Sequence, residues 1–478
     1  MRGAWIATIT NIDWPSSRNL SSWEQKEELI SILDKLKASG INTVFFQVRT
    51  ECDAFYKSNY EPWSIFLTGR QGTPPSPFYD PLEFAIDQAH KRGLELHAWL
   101  NPLRVSRNGN LNEACSDHIS NRNPDWILYF TNYCMLNPGI PEVRNYIAEI
   151  VSDIVSRYDV DGITFDDYFY PYSPTIKYED VSDFKKYGND FTHIQDWRRN
   201  NINKLIEKVN SSIKSVKPYV KFGISPFGIV ENKFAGTRGL NSYSEIYCDP
   251  LNWLKNRTID YVIPQLYWEI GKPTADYSRL LPWWASVIQE RHLYIGHYST
   301  KMTSYNYFGK SSELGDQVRM NRKLDNVLGS VFFSASSIVK NTRSFSDTLK
   351  QKLFRYPAIV PVMEWIDSVP PLPPVKVNAE ATYSGNKIQW SSPGIASDGE
   401  KPNQFVIYRF NSNSKIDLSN PAAIIGIVDG KTNYFIDNSL FSSSDITYVV
   451  SSLDRLKNES LNNPSCSIFY RNQKHTMK

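Results

Sequence analysis

The sequence predicts a (β/α)₈ TIM barrel followed by a small all-β sandwich. Three observations carry this expectation. Eight short apolar runs alternate with helix-like segments over about 340 residues, the size of a barrel with long loops. Polar and aromatic residues gather at the end of nearly every run. Beyond a Pro-rich stretch, the hydrophobic pattern changes to the period-two alternation of strands. A doubly wound open sheet is the competing architecture, but it usually has fewer strands, and no Gly-x-Gly-x-x-Gly follows the first run.

The predicted barrel strands are residues 4–9, 42–48, 94–100, 162–165, 220–224, 261–266, 293–296 and 329–334. Between the first two, Ser22-Trp23-Glu24-Gln25 reads as a capping-box start, and Leu29, Leu33 and Leu36 follow at helical spacing. Asp80-Pro81-Leu82-Glu83 opens a second helix with Pro at its first position; Ala85, Ile86 and Ala89 form its apolar face, and Gly93 ends it. A third begins at Pro141 and runs through Ile147, Ile150 and Ile154, and two more are read at 197–213 and 277–289. The barrel domain is assigned to residues 1–356 and a semi-rigid Pro-rich linker to 357–374. Residues 375–472 form the sandwich, whose Tyr448-Val449-Val450 followed by Asp454 resembles the sixth strand of a fibronectin type III module.

Composition excludes several classes. A chain of 478 residues with 13 Trp, 28 Tyr and 24 Phe can build a large core and still have rings for a binding surface. A net charge of +3 from 53 basic and 50 acidic residues, without basic runs, leaves no footprint for nucleic acid. No stretch approaches the ~20 apolar residues of a membrane span. The five cysteines lie far apart without a Cys-x-x-Cys pair, and the seven histidines include no His-Glu-x-x-His, so no metal or cofactor is expected. Oligomeric state leaves no trace in the sequence.

Barrel active sites lie at the C-terminal ends of the strands, which directs attention to residues 160–171. There an apolar run ends in Asp166-Asp167 and an aromatic patch closed by Pro171. Aromatic rings stack on sugar faces, and carboxylates supply acid, base or nucleophile. Asp166 and Asp167 are therefore the expected catalytic pair. Neighbouring residues in a regular strand face opposite ways, so both can serve one substrate only if the strand ends before them. Glu269, after Tyr267-Trp268, is the rival partner for one aspartate, with Glu51 a weaker one. Arg49 is expected to hold a catalytic carboxylate or substrate anion, or to form a structural salt bridge. Gln47, Asn101 and Gln265 suit sugar hydroxyls; Trp63, Trp99, Tyr168, Tyr170, Tyr267 and Trp268 are candidate stacking platforms, about half of which should prove to be core.

Several segments together resemble the glycosyl-hydrolase-like family 10. They are Arg2-Gly3-Ala4-Trp5, Gln47-Val48-Arg49, Glu61-Pro62-Trp63-Ser64, His97 to Pro102, Asn137-Pro138-Gly139, Asp161 to Pro171, Gly223 to Gly228 and Asp260 to Trp268. The resemblance implies a glycosidase whose glycan substrate is N-acetylated, such as peptide-free peptidoglycan. It also implies a place in the cell envelope, periplasm or exterior, although Met1 to Trp5 lead straight into a predicted strand with no export signal. Adjacent Asp pairs at a fourth barrel strand are similar to those of hexosaminidases that use substrate assistance. By that likeness Asp167 is the acid and Asp166 orients the acetamido group, with the order nearly even. Hydrolysis of another polysaccharide and a non-catalytic carbohydrate-binding barrel are the alternatives.

Overall fold

The structure is a computed structural model that describes residues 1–303, 312–438 and 445–469. It divides into two compact units, Met1–Leu353 and Phe354–Lys478.

The first unit is a closed barrel of eight parallel strands: β1 (Arg2–Ile6), β2 (Thr43–Arg49), β3 (Glu95–Leu100), β4 (Gly162–Phe165), β5 (Lys221–Ile224), β6 (Tyr261–Val262), β7 (His292–His297) and β8 (Val327–Phe332). Each pairs with its successor in the chain, and β8 returns to β1. These are the eight predicted strands; most ends shift by one or two residues, and two strands stop three or four residues early. β1 stops at Ile6 because the Thr8 and Ile9 amides donate to the Gln47 side chain instead of a neighbouring strand. β6 is shortened by Pro264, which has no N–H to give, and the path resumes at Gln265 as single bridges to Phe227 and Gly296.

The helices follow their local signals. α1 (Ser22–Ala38) is capped one residue earlier than expected: Ser21 and Glu24 form the capping box, while the Ser22 hydroxyl donates to the Pro77 carbonyl. α2 (Pro81–Lys91) has Asp80 as its N-cap and Pro81 at its first position, and Gly93 follows its end at φ +65°. α3 (Pro141–Arg157), α4 (Ile194–Val216) and α5 (Tyr277–Val287) bury their apolar faces, including Ile147, Ile150 and Ile154 on α3. Absent from the sequence reading is a three-stranded antiparallel sheet (Arg104–Ser106, Ile127–Phe130, Tyr133–Leu136) inserted after β3.

Below the site the barrel is filled, not open. A Cβ on Gly162 would lie 2.5 Å from the His97 ring, and one on Gly223 would lie 2.0 Å from the Tyr261 ring. These glycines make room for both rings, whose polar atoms meet at 2.6 Å. Lys221 and Glu95 form a buried ion pair beneath them at 2.8 Å.

The second unit holds two antiparallel sheets of three and four strands around a core of Trp390, Phe405, Ile407, Tyr448 and Val450. Two residues of the expected semi-rigid linker contact this unit. Ile359 packs against the cluster containing Val406 and Tyr408, and Asn458 donates to the Asp367 carbonyl and carboxylate. The last expected sandwich residues, 470–472, lie outside the described residues.

Candidate active site

The register of β3 on β4 sets the site. Trp99 pairs with Thr164 and Leu100 with Phe165, so the next residues, Asn101 and Asp166, come side by side. β4 ends at Phe165 and the chain bends at Asp167, with the Phe169 amide donating to the Asp167 carbonyl at 2.9 Å. The strand thus ends before the acid pair, and the alternation that would send the carboxylates to opposite faces no longer applies.

The two carboxyls have different surroundings. Asp166 accepts from the Trp99 indole at 3.0 Å, from the Asn101 amide and from the Tyr168 backbone at 3.4 Å. Burial pushes its pKa up to about 6, held from rising further by the Arg104 charge and these donors. Asp167 accepts from the Tyr172 hydroxyl and meets the Gln265 side chain. Burial and the neighbouring Asp166 charge push it up to about 8. The donors and the Arg104 charge favour the ionised form at Asp166, and the like charge beside it favours the protonated form at Asp167.

The Asn101 amide cannot turn over. Its oxygen accepts from Gln47 Nε2 and from Arg104 Nη2, each at 2.6 Å, which leaves its NH₂ for Asp166. Gln47 is aimed in turn by the Thr8 and Ile9 amides on its own oxygen, at 2.8 and 2.9 Å. Arg104, from the inserted sheet, also donates to the Thr50 carbonyl and stacks over the Tyr168 ring at 4.7 Å. Rings border the pair on two sides. One arc runs from Trp99 through Phe333 to Tyr267 and Tyr298, the other from Tyr172 through Phe227 to Trp268.

Of the residues singled out by sequence, Asp166, Asp167, Trp99, Asn101, Tyr168 and Gln265 meet here. Tyr267 is close enough for both aspartates to raise its pKa, after burial, and Trp268 stands at the rim. Others lie elsewhere. Gln47 is fully buried with both amide ends engaged, so it supports Asn101 and has no free group for a sugar. Arg49 takes the structural alternative: it clamps Glu61 bidentately at 2.8 and 2.7 Å and donates to the Asn101 and Pro102 carbonyls. Tyr170 is core, edge-on to Tyr247, and Trp63 packs edge-on against Phe78. Glu269 is ion-paired to Lys272 at 2.9 Å. Burial pushes its carboxyl up, but the Lys272 hydrogen bond, a backbone amide and the Lys272 and Lys301 charges outweigh this and hold it below the ordinary range. Glu51 accepts from the Arg107 amide at 2.6 Å. Sequence reasoning missed Tyr172 and Arg104. Tyr172 lies one residue past the segment read as the site; Arg104 lies in the unforeseen sheet.

This geometry meets the comparisons with known proteins. The model of the family described as Glycosyl hydrolase-like 10 matches residues 1–311. The chain belongs to that family. Glycosyl hydrolase YngK of Bacillus subtilis (strain 168) is 39% identical over 477 residues, covering 96% of this chain and 92% of its own. Glycosyl hydrolase DigH of Escherichia coli (strain K12) is 40% identical over 365 residues, covering 70% of this chain and 82% of its own. Among solved structures, the PgaB (BpsB) glycoside hydrolase domain from Bordetella bronchiseptica aligns with a TM-score of 0.48 at 12% identity, covering 73% of this chain and 98% of that one. The protein is a glycoside hydrolase.

Proposed function

We propose that this glycoside hydrolase cleaves an N-acetylated glycan, with peptide-free peptidoglycan as its substrate, at the Asp166–Asp167 pair. The observation that carries the reading is two adjacent buried carboxyls in unlike surroundings, with three donors on Asp166 and a like charge beside Asp167. In this reading protonated Asp167 gives its proton to the glycosidic oxygen as the C–O bond breaks. The acetamido oxygen of the same sugar attacks the anomeric carbon, and ionised Asp166 accepts the acetamido N–H and stabilises the cyclic cation. Water then opens the ring and returns a proton to Asp167. This route requires an acetamido group and so an N-acetylated polymer; peptidoglycan is the one that the family resemblance implies, and it would place the enzyme in the cell envelope. The ion pair of Glu269 with Lys272 gives no support to a mechanism through that residue.

In the second unit, the first, second and fifth strands form one sheet, and the fourth, third, sixth and seventh, in that order, form the other. This supports a fibronectin type III-like module.

The test is to incubate wild type and Asp167→Asn with peptide-free peptidoglycan strands and to resolve the soluble products by mass spectrometry. Short N-acetylated oligosaccharides should appear with wild type alone. Their absence with both proteins removes this substrate; equal release by both removes Asp167 as the acid.

A further inference from the structure

The chain beyond the acid pair is pinned before it reaches Tyr172. Phe169 and Tyr170 are buried edge-on to Trp253 and Tyr247, and they anchor the turn that follows β4. Two residues on, the Tyr172 ring stands edge-on to Tyr168 at 5.7 Å and packs against Phe227 at 5.8 Å. Tyr168 is itself held by the Arg104 guanidinium over its face. Neighbouring rings therefore fix the Tyr172 side chain, and its hydroxyl donates to Asp167 Oδ2.

A phenol on a carboxyl acts differently in the two protonation states. While Asp167 is protonated, the bond joins neutral groups and leaves the other oxygen to carry the proton. Once that proton has gone to the glycosidic oxygen, the same bond is charge-assisted and about twice as strong. The gain arises only as the acid ionises, so it lowers the barrier without tightening substrate binding. Asp167 has particular need of such a donor. The carboxylate left behind is buried beside the Asp166 charge. Gln265 and Tyr172 serve it, whereas Trp99, Asn101 and the Tyr168 amide are all taken by Asp166.

We propose that Tyr172 is a positioning residue of the reaction, which fixes the acid through Oδ2 and stabilises the Asp167 carboxylate as the leaving group takes the proton. The inference rests on the reading that Asp167 is the general acid. The Tyr172 O–H bond stays intact throughout: the proton passes from Asp167 to the glycosidic oxygen as the C–O bond breaks, and water later returns one. Besides Tyr172, the ionisable groups facing Asp167 are Asp166, Arg104, Tyr168, Tyr267 and Cys248. Burial pushes the two phenols and the thiol up, and the guanidinium stays charged. The basic limb of the rate is therefore the loss of the acid's own proton.

The test is Tyr172→Phe, which keeps the ring against Tyr168 and Phe227 and removes the donor. On peptide-free peptidoglycan strands kcat should fall roughly three- to tenfold, with KM within about twofold of wild type. The basic limb of kcat/KM should move up by about one pH unit while the acidic limb stays in place. An infrared titration of the protonated-carboxyl stretch, assigned by its absence in Asp167→Asn, should show the same upward shift without substrate. A melting curve confirms that the variant folds. Unmoved limbs, a loss carried by KM, or a carboxyl that titrates as in wild type overturns the inference and leaves Asp167 as the acid. Cleavage by Asp167→Asn equal to wild type, or none by wild type itself, overturns the underlying reading and this inference with it.

Discussion

Replacing Trp99 by Phe removes one donor from Asp166 and leaves the charges around the pair untouched. The indole N–H donates to Asp166 at 3.0 Å in a buried setting. A hydrogen bond to a charged group contributes about 1.5–3 kcal/mol, and one pKa unit corresponds to about 1.36 kcal/mol, so its loss should raise Asp166 by roughly 1–2 units. In the proposed mechanism the active form, with Asp166 ionised and Asp167 protonated, is most populated midway between their values of about 6 and about 8. Moving Asp166 up by about 1.5 units lowers the active fraction by roughly fifteenfold at pH 6 but by less than about twofold at pH 8. The assay is kcat/KM against pH on peptide-free peptidoglycan strands, with a melting curve to confirm that the variant folds. A uniform loss at every pH, with the acidic limb where wild type has it, would refute the claim that Trp99 keeps Asp166 ionised for the reaction.

Three further outcomes follow from the same geometry. Asp167→Asn should melt higher than wild type: a carboxyl raised from 3.8 to about 8 adds stability only while protonated in both states, and loses it as pH rises from the unfolded toward the folded value. The gap should therefore widen between about pH 4 and pH 8, and a gap independent of pH would show that Asp167 is not raised. Glu269→Gln should keep kcat/KM within about threefold of wild type, since it gives up a part-exposed ion pair worth about 0–1 kcal/mol; a loss beyond about a hundredfold would return Glu269 to the chemistry. Arg49→Met strands the Glu61 carboxylate in the interior and should destabilise the barrel by about 3–5 kcal/mol in denaturant titration, whereas unchanged stability would deny Arg49 its structural role.

The barrel was legible because its signals are local. Apolar runs of strand length, caps such as Asp80-Pro81 and terminators such as Gly93 act over a few residues and need no knowledge of the partner strand. The inserted sheet after β3 was not legible: its strands are three and four residues long, too short to show a period. The capping box slipped by one residue because Ser21 and Ser22 are equivalent in sequence, and only the Pro77 carbonyl recruits Ser22.

For the site, the sequence by itself determined which chemistry the protein could perform: adjacent carboxyls at a strand end beside aromatic rings, within a barrel whose strand ends converge. Tertiary structure decided which residues take part. Gln47, Arg49, Glu269 and Asn101 are all polar and all near strand ends, and nothing in the chain separates them. What separates them is competition for partners. Glu61 claims Arg49, Lys272 claims Glu269, and the Thr8 and Ile9 amides claim Gln47. Asn101 alone of these is left with its amide on Asp166, because two donors occupy its oxygen. The unequal acidities of the pair have the same origin. Two identical side chains in consecutive positions differ only through burial, donors and charges contributed by residues as much as 98 positions away, as Gln265 is from Asp167.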